Sequence, residues 1–151
     1  MENSKSDIGN TANGSVESLV GTEAKMVKLI GAEDLTGFAT ITGDDHPNHT
    51  DQAYAEAHGL GGCVAQGSML VGLIAGASCR FLEQVNRPAV SYGYDRVRFL
   101  NPVRIGDRLT ITFKISGCDP AKNNVFGDAE LVNQDGQLVA VGRNTIHFRK
   151  S

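Results

Sequence analysis

Residues 65–85 read "AQGSMLVGLIAGASCRFLEQV", the most apolar stretch of the chain. It has the length of a long helix and is hydrophobic nearly all round, which marks a helix buried within a fold. Gly72, Ala75, Gly76, Ala77 and Ser78 let another element approach closely. Small residues also weaken a helix, so packing has to compensate.

Downstream of this helix the pattern changes to alternation. "AVSYGYDRVRFL" alternates, "NPVRIGD" reads as a turn, and "LTITFKIS" alternates cleanly. "NVFGDAELVN" and "QLVAVGRNTIHFRK" flank Asp135-Gly136, a strong hairpin signal. Upstream, "KMVKLI" (Lys25 to Ile30) fits a first strand, and Ala32 to Gly43 fits a short amphipathic helix with two acids at its start. In "DQAYAEAHG", Asp51 can cap a further short helix and Gly59 can end it. "LGGCV" places two glycines where backbone runs close to something. The class is α+β: one long central helix wrapped by a curved antiparallel β-sheet. Such a sheet has edge strands, and pairing them in a homodimer would satisfy them.

The 151 residues amount to one domain, and 40% hydrophobic content suffices for a packed core. Residues 1–22 are rich in Ser, Asn, Gly, Thr and Glu, and a mobile N-terminal tail is expected there, with the domain over 23–151. The net charge of −3 has no block of like charge, which argues against nucleic acid or a membrane surface as the main partner. No stretch has the make-up of a secretory signal or a membrane span. Cys63, Cys79 and Cys118 are odd in number and far apart. They read as free thiols in a reducing, cytoplasmic setting.

"GDDHPNHTD", Gly43 to Asp51, gathers three carboxylates and two histidines. Three readings are open on the residues alone. The first is a metal site, but His46-x-x-His49 is interrupted by Pro47, which breaks a helix. The second is a capped, solvated loop, since Asp, Asn, Pro and Gly are turn residues. The third is an acid–base pair, Asp44 with His49, holding one water. The glycine-rich run and the start of the buried helix follow, and free N–H groups at a helix start can stabilise an oxyanion.

"FATITGDDHPNHTD" resembles the hydratase motif of the MaoC-like dehydratases and (R)-specific enoyl-CoA hydratases, roughly F-A-x-x-S-G-D-x-N-P-x-H-x-D. "AQGSML" stands where that family has A-H-G-M-L, and "VRFLNPVRIGDRLTITFKI" is similar to its L-x-F-x-x-P-V-x-x-G-D segment. The resemblance spans about residues 26–149 and turns the polar loop toward the acid–base reading. It implies a hot-dog fold, usually paired as a dimer. It also implies interconversion of trans-2-enoyl and (R)-3-hydroxyacyl thioesters, CoA- or carrier-bound, with no metal or redox cofactor. By position Asp44 and His49 match the catalytic pair, and Gly67 matches the glycine whose N–H holds the thioester oxygen.

The sequence departs from the family pattern at His46 (Asn in the family), Gln66 (His), Ser68 (Met), Ala75 (Ser in some members) and Asp95 (Gln). His46 adds a titratable group beside Asp44, able to retune the pair or meet a polar substrate; otherwise it faces solvent. Gln66 and Ser68 flank Gly67, and at least one of them is expected to contact acyl chain or thioester, the alternative being ordinary helix-start residues. These departures motivate an alternative: a MaoC-like enzyme of specialised metabolism performing dehydration or a related proton transfer on an unusual substrate, thioester or not. A non-catalytic hot-dog subunit is a further alternative, against which the chain keeps both Asp44 and His49. Tyr92 and Tyr94 share a strand face suited to core or dimer packing. Cys63 has no activating charge beside it and reads as a buried, inert thiol.

Overall fold

The alternation of the C-terminal half builds the frame. A computed structural model describes residues 14–149. In β3 (Arg108–Asp119), β4 (Asn124–Val132) and β5 (Leu138–Phe148), alternate side chains turn to one face. Leu109, Ile111, Phe113, Ile115, Leu131, Ile146 and Phe148 are buried there. β1 (Glu23–Leu29) and β2 (Ala89–Phe99) complete a five-stranded sheet of order β1-β3-β4-β5-β2, antiparallel at every pairing. Asn133 ties the hairpin between β4 and β5, accepting on Oδ1 from the Asp135 and Gln137 N–H groups, and Gly136 supplies the left-handed residue (φ 77°).

Before the long helix come α1 (Ala32–Thr42), α2 (Pro47–Thr50) and α3 (Gln52–Ala57). The long helix is α4 (Gly67–Val85). It lays Met69, Leu70, Ile74, Ala77, Phe81 and Val85 into the core, against β1, β3, β5 and β2. This is the hot-dog arrangement expected from the sequence. Helix and sheet come close where one of them lacks a side chain: a Cβ on Gly142 of β5 would press on Ile74 of α4, and one on Gly76 of α4 would press on Met26 of β1. Within the sheet, a Cβ on Gly127 would run into the Phe113 ring. α4 is not buried all round: Ser68, Gly72, Cys79 and Arg80 face outward. It begins at Gly67 because Gln66, the N-cap, has extended backbone (φ −60°, ψ 135°). It ends at Asn86, left-handed at φ 53°, whose N–H returns to the Leu82 carbonyl.

The expected tail over residues 1–22 needs correction where it can be seen. Residues 1–13 lie outside the described residues. Beyond them Val16–Leu19 forms a 3-10 turn capped by Ser15, with Val16 and Leu19 buried in the core. Gly21 N–H donates to the Ile115 carbonyl at 2.8 Å, and Arg87 holds the Gly14 carbonyl at 2.7 Å. Two apolar residues three apart suffice for docking, and the polar average of the segment conceals them.

Tyr92 and Tyr94 do not enter the core of this chain. Tyr92 is exposed and stacks on His147, at 4.6 Å between ring centroids, where β2 shifts register. The three cysteines are free and Cys63 is buried. Among the described residues no helix is long and apolar enough to cross a membrane.

Two carboxylates are tied into the frame away from the polar loop. Burial opposes the charge of Asp34, but hydrogen bonds from Lys28 Nζ (2.7 Å) and Gly31 N–H (2.8 Å), with the Lys28 charge, hold it below the usual carboxylate range. On the sheet, Arg143 grips Asp128 with two hydrogen bonds (2.6 and 2.9 Å) and lowers it likewise against a burial penalty.

Candidate active site

The polar loop is set by the end of α1. Gly43 takes the left-handed conformation (φ 78°) and its N–H closes on the Ala39 carbonyl. The chain turns there and Asp44 follows, its N–H donating to Thr42 Oγ1 at 3.2 Å. Pro47, expected to break a helix, instead starts one. At the first helical position the missing N–H costs nothing and the fixed φ suits the turn. His46 caps that turn, its Nδ1 accepting from the Asn48 N–H at 3.2 Å. Asp51 caps α3 as expected, accepting from the Tyr54 N–H at 2.9 Å.

The short helix α2 turns His49 inward. Its Nδ1 lies 2.7 Å from the Val64 carbonyl. A carbonyl oxygen only accepts, so Nδ1 carries a proton and, in the neutral ring, Nε2 carries the lone pair. Nε2 lies 3.8 Å from Asp44 Oδ1. That is too long for a direct hydrogen bond, and one water at the apex of a triangle can bond to both groups. The His49 side chain is 16% exposed and that of Asp44 42%, so the pair opens to solvent on the carboxylate side.

Val64 belongs to the glycine-rich run, which is clasped from both sides. Its N–H donates to the Asn48 carbonyl (3.0 Å), and the Ala65 N–H donates to the Val103 carbonyl (2.7 Å). Arg104 fixes the run from below, with Nε and Nη2 both on the Leu60 carbonyl at 2.8 and 2.7 Å. Gly61 and Gly62 have positive φ (70° and 127°), which explains the glycines in "LGGCV". The clasp around Val64 and Arg104 was not legible as a support for His49. The glycines signal a tight path and do not say what the path holds.

Gly67 opens α4, where the first N–H groups have no partner within the helix. It lines a cleft of about 270 Å³ with Val64, Leu70, Phe99 and Pro102. The Phe99 ring lies against the Gly67 Cα, and a Cβ there would collide with it. Ser68 is exposed in the first turn of α4. His46 is exposed, edge-on to His49 at 6.5 Å and to Tyr54 at 5.9 Å between centroids. Gln66 departs from expectation. It has no exposed surface, and its amide nitrogen is spent on the Leu35 and Asp44 carbonyls (3.0 and 3.2 Å). A long amide packed along α1 finds acceptors inside the fold, the Leu35 carbonyl of its first turn and the Asp44 carbonyl beyond its end.

The sequence pattern described as "MaoC like domain" matches residues 13–136. This chain belongs to the MaoC-like family. An (R)-specific enoyl-CoA hydratase of Rhodospirillum rubrum is 30% identical to it over 105 residues, which cover 70% of this chain and 71% of the relative. Nodulation protein N of Rhizobium meliloti is 36% identical over 110 residues, covering 68% and 67%. Among solved structures, an R-hydratase from Pseudomonas aeruginosa in its unliganded form superposes with a TM-score of 0.76 at 30% identity, covering 87% of this chain and 83% of that one. An (R)-hydratase from A. caviae shares the fold, with a TM-score of 0.77 at 24% identity, covering 86% and 96%. The likeness to named hydratases supports a hydratase of the lyase type within the MaoC-like family.

Proposed function

We propose that the chain hydrates trans-2-enoyl thioesters to (R)-3-hydroxyacyl thioesters, and catalyses the reverse dehydration. The observation that carries this reading is His49 Nε2 opposite Asp44 Oδ1 at 3.8 Å, with Nδ1 already committed to the Val64 carbonyl. The chemistry needs a water activated for carbon 3, a proton for carbon 2, and a partner for charge on the thioester oxygen. Asp44 and His49 hold the water and accept its proton as the C–O bond forms. That proton is returned to carbon 2 by the same pair, so nothing is consumed but water. The Gly67 N–H faces the thioester oxygen, where one such donor is typically worth about 3 kcal/mol. The apolar cleft beside Gly67 takes the acyl part.

A homodimer goes with this reading. β2 is an edge strand, and Val90, Tyr92, Tyr94, Phe99 and Leu100 lie exposed along it or at its end. Pairing that edge with a second copy covers them and satisfies the strand.

The test is loss of enoyl absorbance with purified protein and a short panel of trans-2-enoyl-CoAs, with the configuration of the product determined. Hydration to the (R)-alcohol supports the proposal. A folded protein that turns over no member of the panel contradicts it. A second reading, action on an unusual non-thioester substrate, is favoured by His46 standing exposed beside His49.

A further inference from the structure

Gln66 is buried completely, yet it stands between the two halves of the proposed machinery. It precedes Gly67 in the chain and caps α4 without a side-chain cap bond. Its Nε2 donates to the Leu35 carbonyl of α1 at 3.0 Å and to the Asp44 carbonyl at 3.2 Å. Both acceptors are carbonyl oxygens, so the nitrogen must face them and the amide orientation is fixed. Gln66 Oε1 is then left buried with no hydrogen-bond partner among the described residues. An amide that leaves one buried acceptor unpaired is a costly way to fill space, and an apolar side chain would avoid the cost.

Two side chains hold the Asp44 main chain. Thr42 takes its N–H, but Thr42 belongs to α1 and relates Asp44 only to the helix it leaves. Gln66 takes its carbonyl and reaches across from α4. One nitrogen therefore joins the first turn of α1, the Asp44 loop and the residue that caps α4.

We propose that Gln66 is a positioning residue that sets the separation between the Asp44 carboxylate and the Gly67 N–H. The inference rests on the hydration reading of Asp44 and His49. Gln66 touches neither substrate nor reacting atoms; it holds the acid–base pair and the oxyanion donor in one frame.

The experiment compares parent, Gln66→Met and Gln66→His in steady-state hydration, thermal unfolding and amide hydrogen exchange. Gln66→Met keeps length and volume and removes both donors. Its kcat is expected to fall about ten- to a hundredfold, the scale of an ångström-sized misplacement. KM and the unfolding midpoint should stay close to the parent's. Gln66→His restores one ring N–H donor and should recover part of the lost kcat. Parental kcat in folded Gln66→Met overturns the proposal, as does a loss of activity that only follows a loss of folded protein. If the parent hydrates no enoyl thioester, the hydration reading has failed and exchange decides positioning by itself. Faster exchange over residues 43–51 in Gln66→Met, with α4 protection unchanged, supports it, and unchanged exchange over that loop overturns it.

Discussion

His49 is held by one ring nitrogen and presented by the other: Nδ1 sits 2.7 Å from the Val64 carbonyl and Nε2 sits 3.8 Å from Asp44 Oδ1. The backbone bond fixes the tautomer of the neutral ring, so the free lone pair points at the carboxylate. Replacing His49 by Gln removes the imidazole of the proposed pair while keeping a side chain that can reach Val64. Hydration should fall by about 10²–10⁴, the usual range for losing acid–base assistance. The unfolding midpoint should hardly move, because the ring is outside the main core. Steady-state kinetics alongside a melting curve check both halves.

Gly67 and Phe99 are in contact where α4 begins, and a Cβ at 67 would occupy the ring's place. Phe99 is 53% exposed, so the ring can swing outward and α4 need not move. Gly67→Ala should therefore cost little stability, within about 1 kcal/mol, since alanine also favours a helix more than glycine. Outward from Gly67 is the mouth of the cleft that Phe99 lines, so the displaced ring narrows it and kcat/KM should fall. The double variant Gly67→Ala with Phe99→Ala should recover part of it. An unaltered kcat/KM in Gly67→Ala would count against the cleft as the acyl site.

Gly127 gives the opposite case. Its missing Cβ leaves room for the Phe113 ring, which is wholly buried and packs against Phe81 at 6.0 Å between centroids. Gly127→Ala overpacks the core and should destabilise the fold by about 1–3 kcal/mol. Denaturant unfolding measures it.

The Asp128–Arg143 pair makes stability depend on pH. The Arg143 hydrogen bonds hold the Asp128 carboxyl below its unfolded value, against burial. A depressed carboxylate contributes stability above the unfolded value, about 3.9. That contribution is lost as pH falls through the lower folded value. Asp128→Asn should thus be less stable than the parent near neutral pH, and the two should converge under acid. The Asp128 side chain is 45% exposed, so solvent screening keeps the difference below about 1 kcal/mol. Unfolding midpoints of both proteins across pH 2–7 (about that span) check the convergence.

The elements legible in the sequence were those with a strong local signal. Alternation in β3, β4 and β5 and the apolar run of α4 survive averaging over a window, so strand and helix types emerged together with the wrapped arrangement. Docking of Val16 and Leu19 rests on two residues in a polar segment and only tertiary contact reveals it. Pro47 was misread because its effect depends on position: inside a helix it clashes, at the first turn it fits. The pairing of Asp44 with His49 was one of three readings of the polar loop, and the motif turned the reading toward it. Gln66 was assigned to the ligand because proximity to Gly67 in sequence does not say which way a side chain turns. The Leu35 and Asp44 carbonyls that capture it come from residues 31 and 22 positions away.

The most direct test of the account is hydration of trans-2-enoyl-CoAs by the parent and by Asp44→Asn, with matched melting curves. Asparagine keeps the shape of the side chain and cannot take a proton from the water. The account predicts turnover by the parent and a loss of about 10² or more in the variant at an unchanged melting midpoint. Equal turnover by the two folded proteins would contradict the assignment of Asp44 and His49 as the working pair.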